Sequence, residues 1–157
     1  MFKNILVPLD GSDTAEVVLE SAKELGKALG AHLTLVRVVD IAALTRSIVP
    51  ASNDMGAVTH EIQDIIDETV SAELKDAEDY LNGLGKQCQA DGIEVSTQVR
   101  QGVAGEELLE AVEEEHIDLA AIATHGRSGI SRSIFGSVAD QLVRESGKPV
   151  LVIKARK

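Results

Sequence analysis

Residues able to hold an anion crowd into one stretch of the chain, Ile122 to Val138. The apolar run Leu119 to Ala123 stops at a small polar segment that contains Gly126 and Gly129. Both glycines let the backbone turn where a Cβ would obstruct it. Gly136 and Ser137 then precede Val138-Ala139-Asp140-Gln141-Leu142-Val143, which has helical spacing. A strand, a glycine-bearing loop and a helix that starts at Ser form an anion site in outline. The first N–H groups of a helix have no partner inside it, and the helix dipole is positive there. The Ser137 hydroxyl can donate to a phosphate oxygen or cap its own helix. Neither the P-loop pattern nor the dinucleotide glycine fingerprint is present, and the same residues also suit a tight turn.

Other residues allow chemistry on a sharp reading and structure on a plain one. Asp10 can accept a ribose hydroxyl or help to hold a metal, or it is a turn residue before the first helix. His125 has a ring that titrates near neutrality, but no Ser or Cys nucleophile with an orienting acid stands beside it in the sequence. Arg127 and Arg132 are placed to clamp phosphates, or are ordinary exposed loop arginines. His32, His60 and His116 are too scattered for a metal site. Glu113-Glu114-Glu115 reads most simply as a solvated helix end.

Alternating elements must position these groups. A strand, Phe2 to Val7, is ended by Pro8-Leu9-Asp10-Gly11-Ser12-Asp13. A helix is expected from Thr14 to Leu29, with Val18, Ala22, Leu25 and Leu29 on one face and Gly30 as its cap. His32 to Val39 is the second strand. Asp40 to Ala57 reads as an irregular connection with Pro50 and Gly56 inside it. A long helix follows, Val58 to Ala90, with a stripe from Ile62 to Cys88, and Gly83 and Gly85 loosen its last turns. The third strand is Ile93 to Arg100. A helix runs from Glu106 to Glu115, with its glutamates in solvent. The fourth strand is Leu119 to Thr124, the last helix runs from Ser137 to Glu145, and the final strand is Val150 to Ile153. Strands alternating with helices predict one domain, residues 1–157, with an α/β fold: a doubly wound five-stranded parallel sheet with helices on both faces. Ligands of such sheets bind beyond the carboxyl ends of the strands, where neighbouring connections diverge. If strands one and four are neighbours, Asp10, Val38 and the segment Ala123 to Gly126 meet in one crevice.

Composition narrows the function classes. The 157 residues carry a formal net charge of −11, which argues against a general nucleic-acid binder. No apolar run approaches the ~20 residues of a membrane span, and no signal peptide precedes the first strand. Cys88 is the only cysteine, so no intrachain disulfide can form and a reducing cytoplasm fits. Its place on an apolar helical face indicates packing rather than redox chemistry.

Together these segments resemble the universal stress protein family (UspA-like) in its nucleotide-binding branch, over essentially the whole chain. Ile5-Leu6-Val7-Pro8-Leu9-Asp10-Gly11-Ser12 is similar to the family's first strand and turn. Thr124-His125-Gly126-Arg127-Ser128-Gly129 is similar to its usual loop. Gly126, nine residues, Gly136 and Ser137 follow the second part of its ATP motif, and Lys148 to Ile153 follow its closing strand. The motif's first glycine falls at Ala123, which adds one methyl near the expected ribose and phosphate path. The resemblance implies an adenine nucleotide alpha hydrolase-like fold with strand order 3-2-1-4-5. It also implies a homodimer through Val150 to Ile153, and ATP or another adenine nucleotide, alone or with Mg²⁺ or Mn²⁺. Carried over by position, Pro8, Leu9 and Asp10 would line adenine and ribose, and the Val38 backbone would meet the adenine edge. Ile122, Ala123, Gly126 and Arg127 would border ribose and phosphates, and Gly136, Ser137, Val138 and Ala139 would offer phosphate donors. The function implied is stress response or regulation, with nucleotide state tuning partner interactions. A slow ATPase or phosphotransferase, or a dimeric scaffold without nucleotide, are the alternatives.

Overall fold

The computed structural model describes residues 1–49, 60–125 and 136–155. Five parallel strands form one sheet in the order β3-β2-β1-β4-β5. They are β1 Asn4–Pro8, β2 His32–Val39, β3 Val95–Gln101, β4 Leu119–His125 and β5 Val150–Ala155. Among the described residues the helices are α1 Asp13–Leu29, α2 Ile41–Ile48, α3 His60–Ala90, α4 Ala104–Glu114 and α5 Ser137–Glu145.

The strict alternation of β1 sends its side chains to two separate cores. Ile5 and Val7 pack with Leu33, Leu35 and Ala121 against Val18 and Ala22 of α1 and Leu81, Leu84 and Cys88 of α3. Leu6 packs with Val36, Ala120 and Ile122 against Leu108 and Val112 of α4 and Ala139 and Leu142 of α5. Helices therefore cover both faces, as the alternation predicts. With almost no aromatics, aliphatic side chains and small residues must fill these layers closely. Gly85 shows how closely: a Cβ there would stand 3.1 Å from Thr97 Cγ2. That packing is why α3 continues through Gly83 and Gly85 to Ala90, where loosened turns are expected from propensity alone. Cys88 is fully buried, in agreement with a packing role.

Other expectations shift at element ends. Pro8 is the last residue of β1, one beyond the expected end at Val7, while Phe2 lies outside the strand. The expected irregular run from Asp40 contains α2, started by the Asp40 carboxylate accepting from Ala43 N at 2.8 Å. No α2 residue is buried, and its apolar positions Ile41, Leu44 and Ile48 make too short a stripe to announce a helix by periodicity. The α4 helix begins at Ala104, ahead of Glu106, and Gln141 of α5 packs closely over Gly105 in its first turn. Its glutamates do not all face water alone. Arg100 of β3 reaches Glu107 at 3.1 Å, Glu110 at 3.4 Å and Glu114 at 2.8 Å, and Glu115 accepts from Gln98 at 2.6 Å.

Candidate functional site

The sheet opens between β1 and β4 at the carboxyl ends. At the amino ends the two strands are clamped. Asp118 accepts from the backbone N–H of Lys3 at 2.7 Å and of Asn4 at 3.2 Å, and its own N–H donates to Asn4 O at 3.0 Å. The pairing then runs only through Ile5 with Leu119 and Leu6 with Ala120. By contrast β1 stays paired with β2 as far as Pro8 with Val36, and β4 with β5 as far as His125 with Ala155.

Pro8 accounts for where the ladder stops. Alternate residues of a parallel strand address opposite neighbours. Leu9 N donates to Val36 O on β2 at 2.8 Å, and Asp118 N of the β4 side donates to Asn4 O. Even positions of β1 therefore address β4, and position 8 has no N–H to give. The strands part there and leave a crevice at the point where the chain direction across the sheet reverses.

The turn beyond β1 forms one wall. Asp10 Oδ1 accepts from Ser12 N at 3.0 Å and from Ser12 Oγ at 2.6 Å, and Ser12 Oγ accepts from Ala15 N at 3.3 Å. Asp10 is thus tied through Ser12 to the first turn of α1, and Ser12, not Asp10, is the cap. Gly11 at φ +82° makes the turn possible. Asp10 is exposed at this rim, so its turn role and a ligand role are compatible. Among the described residues no group of three or more His, Cys, Asp or Glu can hold a metal.

The N-terminus of α5 forms the opposite wall. Gly136 occupies the cap position at φ +54°, ψ 158°, and among the described residues no side-chain hydrogen bond caps the helix. Ser137 is exposed and does not cap. The first intrahelical bond is Asp140 N to Gly136 O at 3.0 Å, which leaves the N–H groups of Ser137, Val138 and Ala139 ahead of that ladder. Such a terminus attracts an anion.

The described residues among those expected at the site lie at or beside the carboxyl ends of β1, β2 and β4 or in the first turn of α5, and several can offer less than expected. Leu9, Ile122 and Ala139 are buried, and their side chains belong to the two cores. Val38 and Val138 pack on the α4–α5 side and Ala123 on the α1–α3 side. These residues can meet a ligand with backbone rather than side chain. Gly126 and Arg127 lie outside the described residues, as do Arg132 and the side chain of His125.

Sequence reading passed over Arg37. It is the one charged residue of β2, and its Nη2 lies 2.8 Å from Glu73 Oε1 of α3. Its guanidinium also stands 5.6 Å from the centroid of the Tyr80 ring. A charge set inside an otherwise apolar strand is the signal that marks it. Burial pushes the Tyr80 phenol above its usual pKa, and the Glu16 and Asp10 carboxylates add to the shift.

The family model described as "Universal stress protein family" matches residues 1–154. The chain belongs to the universal stress protein family. A universal stress protein of Methanocaldococcus jannaschii, MJ0577, is 26% identical over 157 residues, covering 99% of this chain and 97% of the relative. A solved structure of MJ0577 matches with a TM-score of 0.78 at 25% identity, over 100% of this universal stress protein and 99% of that chain. Two further structures share the fold. One is a universal stress protein in complex with cAMP, at TM-score 0.64 and 19% identity over 98% of this chain and 97% of that one. The other is a universal stress protein from Archaeoglobus fulgidus in complex with dAMP, at TM-score 0.62 and 21% identity over 98% of each chain.

Proposed function

We propose that this universal stress protein binds an adenine nucleotide, ATP in the first place, in the crevice between β1 and β4. One observation carries the reading: the β1–β4 ladder stops after Leu6, and the N-terminus of α5, which no side chain caps among the described residues, follows the chain that leaves β4. Adenine and ribose lie along Pro8, Leu9, Asp10 and the Val38 backbone. The phosphates lie toward Ile122, Ala123, Gly126 and Arg127, and on the N–H groups from Gly136 to Ala139. The added methyl of Ala123 is tolerated because a negative φ is open to alanine. A divalent cation, where present, is carried by the phosphates, with Asp10 a candidate carboxylate to share it. The cAMP and dAMP complexes belong to relatives at 19% and 21% identity, which share the fold. For this chain the ligand reading rests on its own residues.

The protein acts as a cytoplasmic stress-response regulator whose nucleotide-bound state alters its partner contacts. It works as a homodimer paired through β5. The strand is at one edge of the sheet, and its even positions direct their N–H groups outward, because Pro149 O accepts from Ala120 N of β4 at 3.0 Å. An apolar edge with unpaired donors invites a second copy. The test of the ligand is to purify the protein, denature it and identify what is released. Adenine nucleotide near one per chain supports the reading. Empty protein that also fails to take up added ATP refutes it.

A further inference from the structure

The wall of the crevice at Asp10 has a support that lies below it in the fold. Along β2, Leu33, Leu35 and Arg37 point to the α1–α3 face, the first two into the core. Arg37 follows near the carboxyl end, one step before Val39, with its side chain only 18% exposed. A charge so nearly buried needs partners. Glu73 of α3 holds Nη2 at 2.8 Å, and the Tyr80 ring lies beneath the guanidinium. On the remaining side is the turn itself: a Cβ on Gly11 would stand 3.2 Å from Arg37 Nη1 and 3.6 Å from Cζ. The Tyr80 hydroxyl is buried in the same place and has no hydrogen-bond partner among the described residues.

We propose that Arg37 is a positioning residue for the ribose end of the site, held from α3 by Glu73 and Tyr80 so that it supports the Asp10–Gly11–Ser12 turn and sets Asp10 to receive a ribose hydroxyl. The inference rests on the nucleotide reading above and adds a specificity determinant to it. Two features make Arg37 suited to the task. Its planar fork is rigid enough to form a floor, which a lysine ammonium is not. It also lies close under Gly11, where a Cβ would press on Nη1 at 3.2 Å and where φ +82° already favours glycine. The hydrogen bonds from Ser12 fix Asp10 from the α1 side, and Arg37 fixes the turn from β2.

The experiment measures affinities of the full-length protein for ATP, 2′-deoxy-ATP, 3′-deoxy-ATP and inorganic tripolyphosphate. The parent, Arg37→Met, Arg37→Lys, Glu73→Gln and Asp10→Asn are compared. The parent is expected to prefer ATP over one of the deoxynucleotides by about tenfold or more, as a hydrogen bond to a charged acceptor implies. Arg37→Met should lose most of that preference yet bind tripolyphosphate within about twofold of the parent. Arg37→Lys should restore part of it, and adding Arg37→Met to Asp10→Asn should cost nothing more than Asp10→Asn alone. Glu73→Gln, which keeps Arg37 but loosens it, should give an intermediate loss. It carries the test if Arg37→Met does not fold. An equal drop for all four ligands, or an unchanged preference, overturns the role of Arg37 while the nucleotide site stands. A parent that binds none of the nucleotides overturns the site, and this inference with it.

Discussion

Gly136 is where backbone conformation and ligand placement meet most closely. An ideal Cβ there has no heavy atom of a described residue within 4 Å, so among these an alanine meets no steric barrier. The barrier is conformational. At φ +54°, ψ 158° the residue sits in a region that side chains strongly disfavour, at a cost of about 1–3 kcal/mol. Gly136→Ala must express that cost in one of two ways. If the turn keeps its shape, stability falls, and melting drops by about 2–4 °C per kcal/mol for a chain of this size. If the turn relaxes, the α5 N–H groups leave their places and ATP must restore them. Affinity then falls by about five- to hundredfold, since each 1.4 kcal/mol is about tenfold. Gly30→Ala is the control. Gly30 also has positive φ and open space, but it caps α1 away from the crevice. It should lose about 1–2 kcal/mol of stability with ATP affinity unchanged. Calorimetric titration with ATP and thermal melting read both quantities. A Gly136→Ala protein that melts and binds like the parent refutes both the strain at the cap and the placement of the phosphates.

Pro8→Ala gives β1 the N–H that faces β4. Hydrogen exchange should show a protected amide at position 8 and ATP affinity should fall, whereas a freely exchanging amide with unchanged affinity removes the role assigned to Pro8. Val152→Pro deletes an outward-facing donor on the β5 edge, so sedimentation equilibrium should show a dimer for the parent and a shift toward monomer for the variant. A parent that stays at 16.7 kDa at tens of micromolar excludes the dimer. Lys23, nearly buried on α1, lies 2.6 Å from Asp91 and 3.0 Å from Glu20, and the bond to Lys23 holds the Asp91 carboxyl below its usual range. A depressed carboxyl pKa stabilises the fold above the unfolded value of about 3.9, and that contribution is lost as pH falls through the lower folded value. Asp91→Asn should therefore melt below the parent at neutral pH, with the gap closing in strong acid. A gap of the same size at low pH shows that the ion pair is not its source.

Much of this architecture is legible in the residues. The apolar runs of β1 and β2, the alternation of β3 and the one-sided stripes of α1 and α3 announce themselves, because these elements are buried on one face or both. Strand order and the site edge follow once the first strand, the glycine loop and the closing strand are recognised together. What stays hidden depends on partners distant in sequence. Arg37 reads as an interruption of β2 until Glu73 and Tyr80 are brought to it by α3. Nothing local says that the N–H missing at Pro8 would have pointed at β4 rather than β2. The α2 stripe of Ile41, Leu44 and Ile48 is too short to separate a helix from a connection. The close approach of Gln141 of α5 to Gly105 joins positions far apart in the sequence. The Glu107, Glu110 and Glu114 cluster likewise looks solvated until Arg100 of β3 reaches it.

The central claim, an adenine nucleotide in the β1–β4 crevice, is tested most directly by melting the purified protein, stripped of any bound nucleotide, with and without saturating ATP and Mg²⁺. A ligand at 100 times its Kd adds about 2.7 kcal/mol to the folded state, a rise of about 5–10 °C for a chain this long. The predicted result is a rise of that size. A melting temperature that saturating ATP leaves unmoved contradicts it.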